Sequence, residues 1–85
     1  MPNIEIYTTK YCPFCVRAKM LLTQKGVTFI EHAVDRDPDL RKTMMQLSDG
    51  AHTVPQIFID DKHIGGCDEL YALERQSQLD KILSL

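Results

Sequence analysis

The sequence predicts an α/β fold whose elements run β-α-β-α-β-β-α-α. Three observations predict it. Short apolar runs with strand-like patterning occur in four places, apolar residues recur at helical spacings of three and four in four stretches, and proline, glycine or an acidic cap marks the joins. Ile4 and Ile6 alternate with Glu5 and lead into Tyr7 and Thr8, so residues 3–8 read as the first strand. A helix follows from Pro13 to Lys25, with Cys15, Ala18, Leu21 and Leu22 on its inner stripe and Arg17, Lys19 and Gln24 outside. Gly26 is a natural stop. Val27 to Val34 reads as the second strand, and strand, crossover helix, strand implies a parallel, right-handed pairing.

Asp37 caps the next helix, and Pro38 suits its first turn because the missing N–H would have had no helical partner there. Leu40, Met44 and Leu47 mark one face of this helix, Pro38 to Leu47, and Ser48-Asp49-Gly50 ends it. Thr53-Val54-Pro55 leads into Gln56-Ile57-Phe58-Ile59, the most strand-like run in the chain. Asp60-Asp61-Lys62 then turns it back into a short antiparallel partner, His63-Ile64. After Gly65-Gly66, Cys67 to Arg75 reads as a helix with Leu70, Leu73 and Tyr71 inward. Ser77 with Asp80 has the spacing of a capping box, opening a last short helix that buries Leu79, Ile82 and Leu83. Met20, Met44 and Met45 are expected to fill or border the core.

Eighty-five residues are expected to form one domain, 1–85, with one small core. Ten basic residues against twelve acidic ones leave a net charge of −2 with no run of like charges. That balance argues against a nucleic-acid partner or an anionic membrane. The N-terminus lacks the pattern of a signal peptide, so a cytoplasmic location is expected. In that compartment three cysteines suggest redox or metal chemistry rather than a disulfide framework, and an odd number cannot all pair internally.

Cys12-Pro13-Phe14-Cys15 stands where a strand gives way to a helix. Partial positive charge and unpaired N–H groups at a helix N-terminus favour the thiolate, the reactive form of a cysteine. Cys12 sits at the cap, and Cys15 lies one turn on, within reach of a disulfide. A zinc site would need two further ligands at related spacing, and Cys67, His32, His52 and His63 offer no second close pair. Redox exchange is therefore the favoured chemistry, and no metal is expected. Thr53-Val54-Pro55 is a second signal. If the Val54-Pro55 bond is cis, the Val54 backbone can face the dithiol and pair with an extended substrate. Gly65-Gly66-Cys67-Asp68 is a third, with N–H groups at a helix start for a carboxylate and Asp68 for an ammonium. Each segment also has a plain reading, as an edge-strand start and as a turn with its cap.

Together, at these separations, the three motifs resemble a dithiol glutaredoxin of the short bacterial type, over essentially the whole chain. The resemblance implies a thioredoxin fold, a four-stranded mixed sheet flanked by helices, with Pro55 cis. It implies glutathione as co-substrate with no bound cofactor, and a monomer acting on protein disulfides and glutathionylated proteins. Ribonucleotide reductase is one candidate because the family serves it. Cys12 matches the family nucleophile and Cys15 its resolving thiol. Thr53, Val54 and Pro55 match the positions that hold the cysteinyl part of glutathione, and Gly66, Cys67 and Asp68 those that hold its γ-glutamyl end. Phe14, in place of the more frequent tyrosine, keeps a ring beside the sulfur. The glycyl carboxylate is met in the family by a lysine shortly before the nucleophile and by a basic or amide residue early in the second helix. Lys10 and Arg41 or Lys42 are the candidates here, although Thr9 occupies the commoner lysine place and His52 one that is often arginine. Rival readings are a thioredoxin-like donor reduced by a flavoprotein, and an iron–sulfur scaffold held by Cys12 and glutathione from two copies.

Overall fold

Isoleucines at every second position decide which way the sheet faces. The computed structural model describes residues 2–85, and in it Ile4, Ile6, Ile57 and Ile59 form one apolar face, each at most 2% exposed. The elements are β1 (Ile4–Thr8), α1 (Pro13–Gln24), β2 (Ile30–Ala33), α2 (Pro38–Leu47), β3 (Gln56–Ile59), β4 (Lys62–Gly65), α3 (Cys67–Arg75) and α4 (Leu79–Ile82). They form the four-stranded mixed sheet that the resemblance implied, in the order β2-β1-β3-β4. β1 pairs parallel with β2 and antiparallel with β3, and β3 pairs antiparallel with β4.

The isoleucine face is covered by Ala18, Leu21 and Leu22 of α1, Leu70 of α3, and Leu79 with Leu83 at α4. The opposite face carries Tyr7 and Phe58, which pack with Val34 and with Met44 from α2. One helix thus lies on one side of the sheet and three on the other, as period-two strands with two apolar faces require. The four inner residues expected for α1 are the four that are buried. Among the described residues no helix is long and apolar enough to cross a membrane.

Several expectations need correction. The second strand begins at Ile30, not Val27, because its parallel partner β1 starts at Ile4 and first pairs as Glu5 with Ile30. Residues 27–29 have no ladder to join, and Val27 packs into the core from the connecting loop instead. Lys62 belongs to β4, since Asp60 and Asp61 alone complete the hairpin with φ of 50° and 66°. Met44 is fully buried, but Met20 and Met45 are 54% and 38% exposed, and Leu47 is 56% exposed. On a helix resting on one sheet face, only the stripe through Met44 meets the sheet.

Ser77 does not cap α4. With φ of 58° it closes α3, its N–H donating to the Glu74 carbonyl at 3.1 Å while Gln78 N–H reaches the Leu73 carbonyl at 2.9 Å. That paired arrangement is a helix-terminating motif, and Gln78 becomes the N-cap of α4 without a side-chain bond.

Candidate active site

Strand directions gather three loops at one end of the sheet. β1 runs toward Cys12, and its antiparallel neighbour β3 starts there, with Tyr7 opposite Gln56, so Thr53-Val54-Pro55 lies beside the cysteine. β4 runs back toward the same end, with Gly65 opposite Ile57, and delivers the N-terminus of α3. A cleft of about 190 Å³ lies between them, lined by Phe14, Thr53, Val54, Pro55, Gln56, Gly66, Cys67, Asp68 and Glu69.

Cys12 is the N-cap of α1, in extended conformation, and is only partly buried. Its Sγ accepts a hydrogen bond from the Cys15 N–H at 3.1 Å, so one of the unpaired donors of the helix start is aimed at the sulfur. On the other side the Cys12 thiol lies 3.8 Å from the Val54 carbonyl oxygen, to which it can donate. Cys15 has the opposite environment. It is 1% exposed, and burial first, then its hydrogen bond with Cys12, pushes its thiol up to about 12. The Thr9 backbone and Lys19 oppose this shift without cancelling it. At neutral pH Cys15 is therefore a protonated thiol held beneath a more accessible sulfur.

The Val54-Pro55 peptide bond is cis, as the resemblance implied. Gln56, buried at the start of β3, donates from Nε2 to the Thr53 carbonyl at 3.0 Å and meets His63 Nε2 through Oε1 at 2.6 Å. The loop is thereby tied to β4. Among the described residues, Val54 N–H has no hydrogen-bond partner. A Cβ on Gly66 would come within 3.2 Å of the Pro55 carbonyl, which shows how closely α3 approaches this loop.

At the α3 N-terminus, Gly66 N–H donates to the Glu69 carboxylate, Oε1, at 2.7 Å. That N–H, expected to be open for a ligand, is taken by a side chain of the same helix. Cys67 is 5% exposed, and burial raises its thiol despite the opposing pull of Arg17. Asp68 is exposed at the rim.

Lys10, Arg41 and Lys42 do not line the cleft. Lys10 donates its backbone N–H to Asp35 Oδ2 at 3.1 Å and holds Nζ 5.4 Å from the Tyr11 ring centre. Arg41 donates from Nη1 to the His52 carbonyl at 2.9 Å, one residue from Thr53, and Lys42 is exposed. Gln56 and Glu69 line the cleft without having been singled out from sequence. Glu69 carried a usable signal, since it stands three residues after the glycine that precedes α3. Among the described residues no group of three or more His, Cys, Asp or Glu side chains is placed to hold a metal ion.

A mixed four-stranded sheet, a Cys-x-x-Cys opening the first helix and a cis-proline loop beside it define a thioredoxin-fold protein with a redox-active cysteine pair. A family model described as glutaredoxin matches residues 4–64. The chain is 54% identical over 84 residues to a glutaredoxin from Pseudomonas aeruginosa, covering 99% of each. It is 54% identical over 83 residues to glutaredoxin 3 of Escherichia coli strain K12, covering 98% of this chain and 99% of that one. The crystal structure of a buckwheat glutaredoxin–glutathione complex superposes with a TM-score of 0.88 at 31% identity, covering 98% of this chain and 77% of that one. The chain belongs to the glutaredoxin family, whose members are thiol-disulfide oxidoreductases that use glutathione as substrate.

Proposed function

We propose that this protein reduces protein disulfides and glutathione mixed disulfides, with Cys12 as nucleophile, Cys15 as resolving thiol and glutathione as the electron source. The observation that carries the reading is the contrast between the two sulfurs. One is partly exposed at a helix N-terminus beside the cleft, and the other is buried and protonated beneath it. With a glutathionylated protein, the Cys12 thiolate attacks the glutathione sulfur and the protein thiol leaves. A second glutathione then attacks that sulfur, giving glutathione disulfide and restoring Cys12. With a protein disulfide, Cys12 forms a mixed disulfide and Cys15, losing its proton, attacks the Cys12 sulfur. The reduced substrate leaves, and two glutathiones restore the dithiol.

The cleft suits the tripeptide. Val54 offers free backbone for an extended cysteinyl segment, and the α3 N-terminus suits a γ-glutamyl carboxylate, with Asp68 for the ammonium. A glutaredoxin of the same fold crystallised with glutathione supports this ligand. Of the candidates for the glycyl carboxylate, Arg41 is tied to the segment leading into the loop, since it bonds the His52 carbonyl. In this reading the protein works as a monomer in the cytoplasm, where a glutathione pool supplies the electrons, with ribonucleotide reductase among the protein disulfides to be tried.

Replacing Cys15 with Ser tests the roles. Release of glutathione from a glutathionylated protein should survive, while reduction of a protein disulfide should fall at least about tenfold, since only the second route needs Cys15. Loss of both activities would overturn the assignment.

A further inference from the structure

We infer that Glu69 is a built-in stand-in for the ligand's carboxylate, and that its displacement sets how strongly this protein selects thiols carrying a γ-glutamyl group. The inference rests on the glutathione reading above and adds a residue to it. Glu69 is exposed, yet its side chain does not extend into solvent. Its Oε1 accepts from Gly66 N–H at 2.7 Å, and it lies so flat along the chain that a Cβ on Gly65 would meet Oε1 at 2.7 Å and Cγ at 2.8 Å. The carboxylate therefore sits at the positive end of α3, on the wall of the cleft lined by Thr53, Val54 and Asp68.

A free amino acid end brings the same chemistry to that place. Its carboxylate needs the first-turn N–H groups of α3, and one of those nearby donors is already taken by Glu69. A second negative charge there is also repelled by Glu69 and Asp68 together. Binding is eased when Glu69 swings away, which its exposed position permits. A thiol without the γ-glutamyl residue makes no demand on this corner and should not sense Glu69.

The test measures how fast glutathione and cysteinylglycine reduce the oxidised protein. In each case the added thiolate attacks the Cys12 sulfur of the Cys12–Cys15 disulfide and the Cys15 thiolate leaves. The ratio of the two rate constants reports selection for the γ-glutamyl group. In Glu69→Ala the ratio should rise about fivefold over the natural protein, the factor expected for removing one competing carboxylate at a helix start. Glu69→Gln keeps an acceptor for Gly66 N–H and so keeps the cap, but lacks the charge. Its ratio should rise by a smaller factor, and this variant decides the matter if the alanine protein fails to fold. A ratio that stays the same or falls in the variants would overturn the role of Glu69 while leaving glutathione as substrate. A ratio in the natural protein no higher than the one the same two thiols show toward a small soluble disulfide would instead overturn the glutathione site itself.

Discussion

Alkylation of the reduced protein should separate its two active-site thiols sharply. Cys15 is pushed from 9.0 to about 12, chiefly by burial and next by its hydrogen bond with Cys12. A thiol raised that far has its thiolate fraction reduced about a thousandfold at any pH well below 9. Only the thiolate attacks iodoacetamide, so at pH 7.5 the folded protein should take the label at Cys12 while Cys15 reacts at least about a thousandfold more slowly than a free cysteine. Peptide mass spectrometry after timed quenching reads both sites at once, and unfolding in guanidinium should expose Cys15 to rapid labelling. In Cys12→Ser the hydrogen bond and charge of Cys12 are gone but burial remains. The pH midpoint for labelling Cys15 should then drop from about 12 yet stay above the ordinary 9.0. Labelling of Cys15 within tenfold of a free cysteine's rate, in protein that is still folded, would refute the division of the pair into an attacking and a protected sulfur.

Two further expectations concern the frame around the site. Met44 is fully buried against Tyr7 and Phe58, so Met44→Ala should cost about 2–5 kcal/mol of stability in denaturant unfolding. Met20, 54% exposed, should change by less than about 0.5 kcal/mol on the same substitution. Glu31 accepts from Thr8 Oγ1 at 2.6 Å and pairs with Lys19 at 2.9 Å, which lowers its carboxyl below the ordinary 4.5, the Thr8 bond contributing most. A depressed carboxyl stabilises the fold above its unfolded value and loses that contribution as pH falls through the folded one. Denaturation midpoints should therefore fall on acidification below about pH 4.5, and less steeply in Glu31→Gln, with an equal slope in both proteins counting against the pairing.

Much of this was legible in the residues, and what was not has identifiable causes. The alternation of Ile4, Ile6, Ile57 and Ile59 and the stripe on α1 are local periodicities, and the folded chain keeps them. The start of β2 was not local, because where Val27 to Ile30 pairs depends on where β1 begins. Leu47 and Met20 face outward against expectation, because apolar character says nothing about whether a partner lies opposite. Ser77 carried two compatible signals, a cap for α4 and a terminator for α3, and only the backbone shows that the second prevailed. At the site, Cys12, Val54 and Gly66 could be nominated from sequence, and the spacing of Glu69 from Gly66 is compatible with their contact, but a glycine with an acid three residues later also reads as an ordinary helix start.

The same geometry that protects Cys15 also governs when it acts. Its raised thiol has three supports from its surroundings: burial, the hydrogen bond with Cys12, and the negative charge that Cys12 can carry. Once Cys12 is joined to a substrate sulfur its charge is gone, and a disulfide sulfur is a weaker hydrogen-bond acceptor than a thiolate. Two of the three supports therefore weaken at the moment a mixed disulfide forms, which lowers the barrier to losing the Cys15 proton when there is a bond for it to break. Burial persists and still holds the Cys15 thiol up, which in the proposed cycle favours an incoming glutathione competing at the outer sulfur. The proposed cycle has a route through one cysteine and a route through both, and the burial of Cys15 bears on the balance between them.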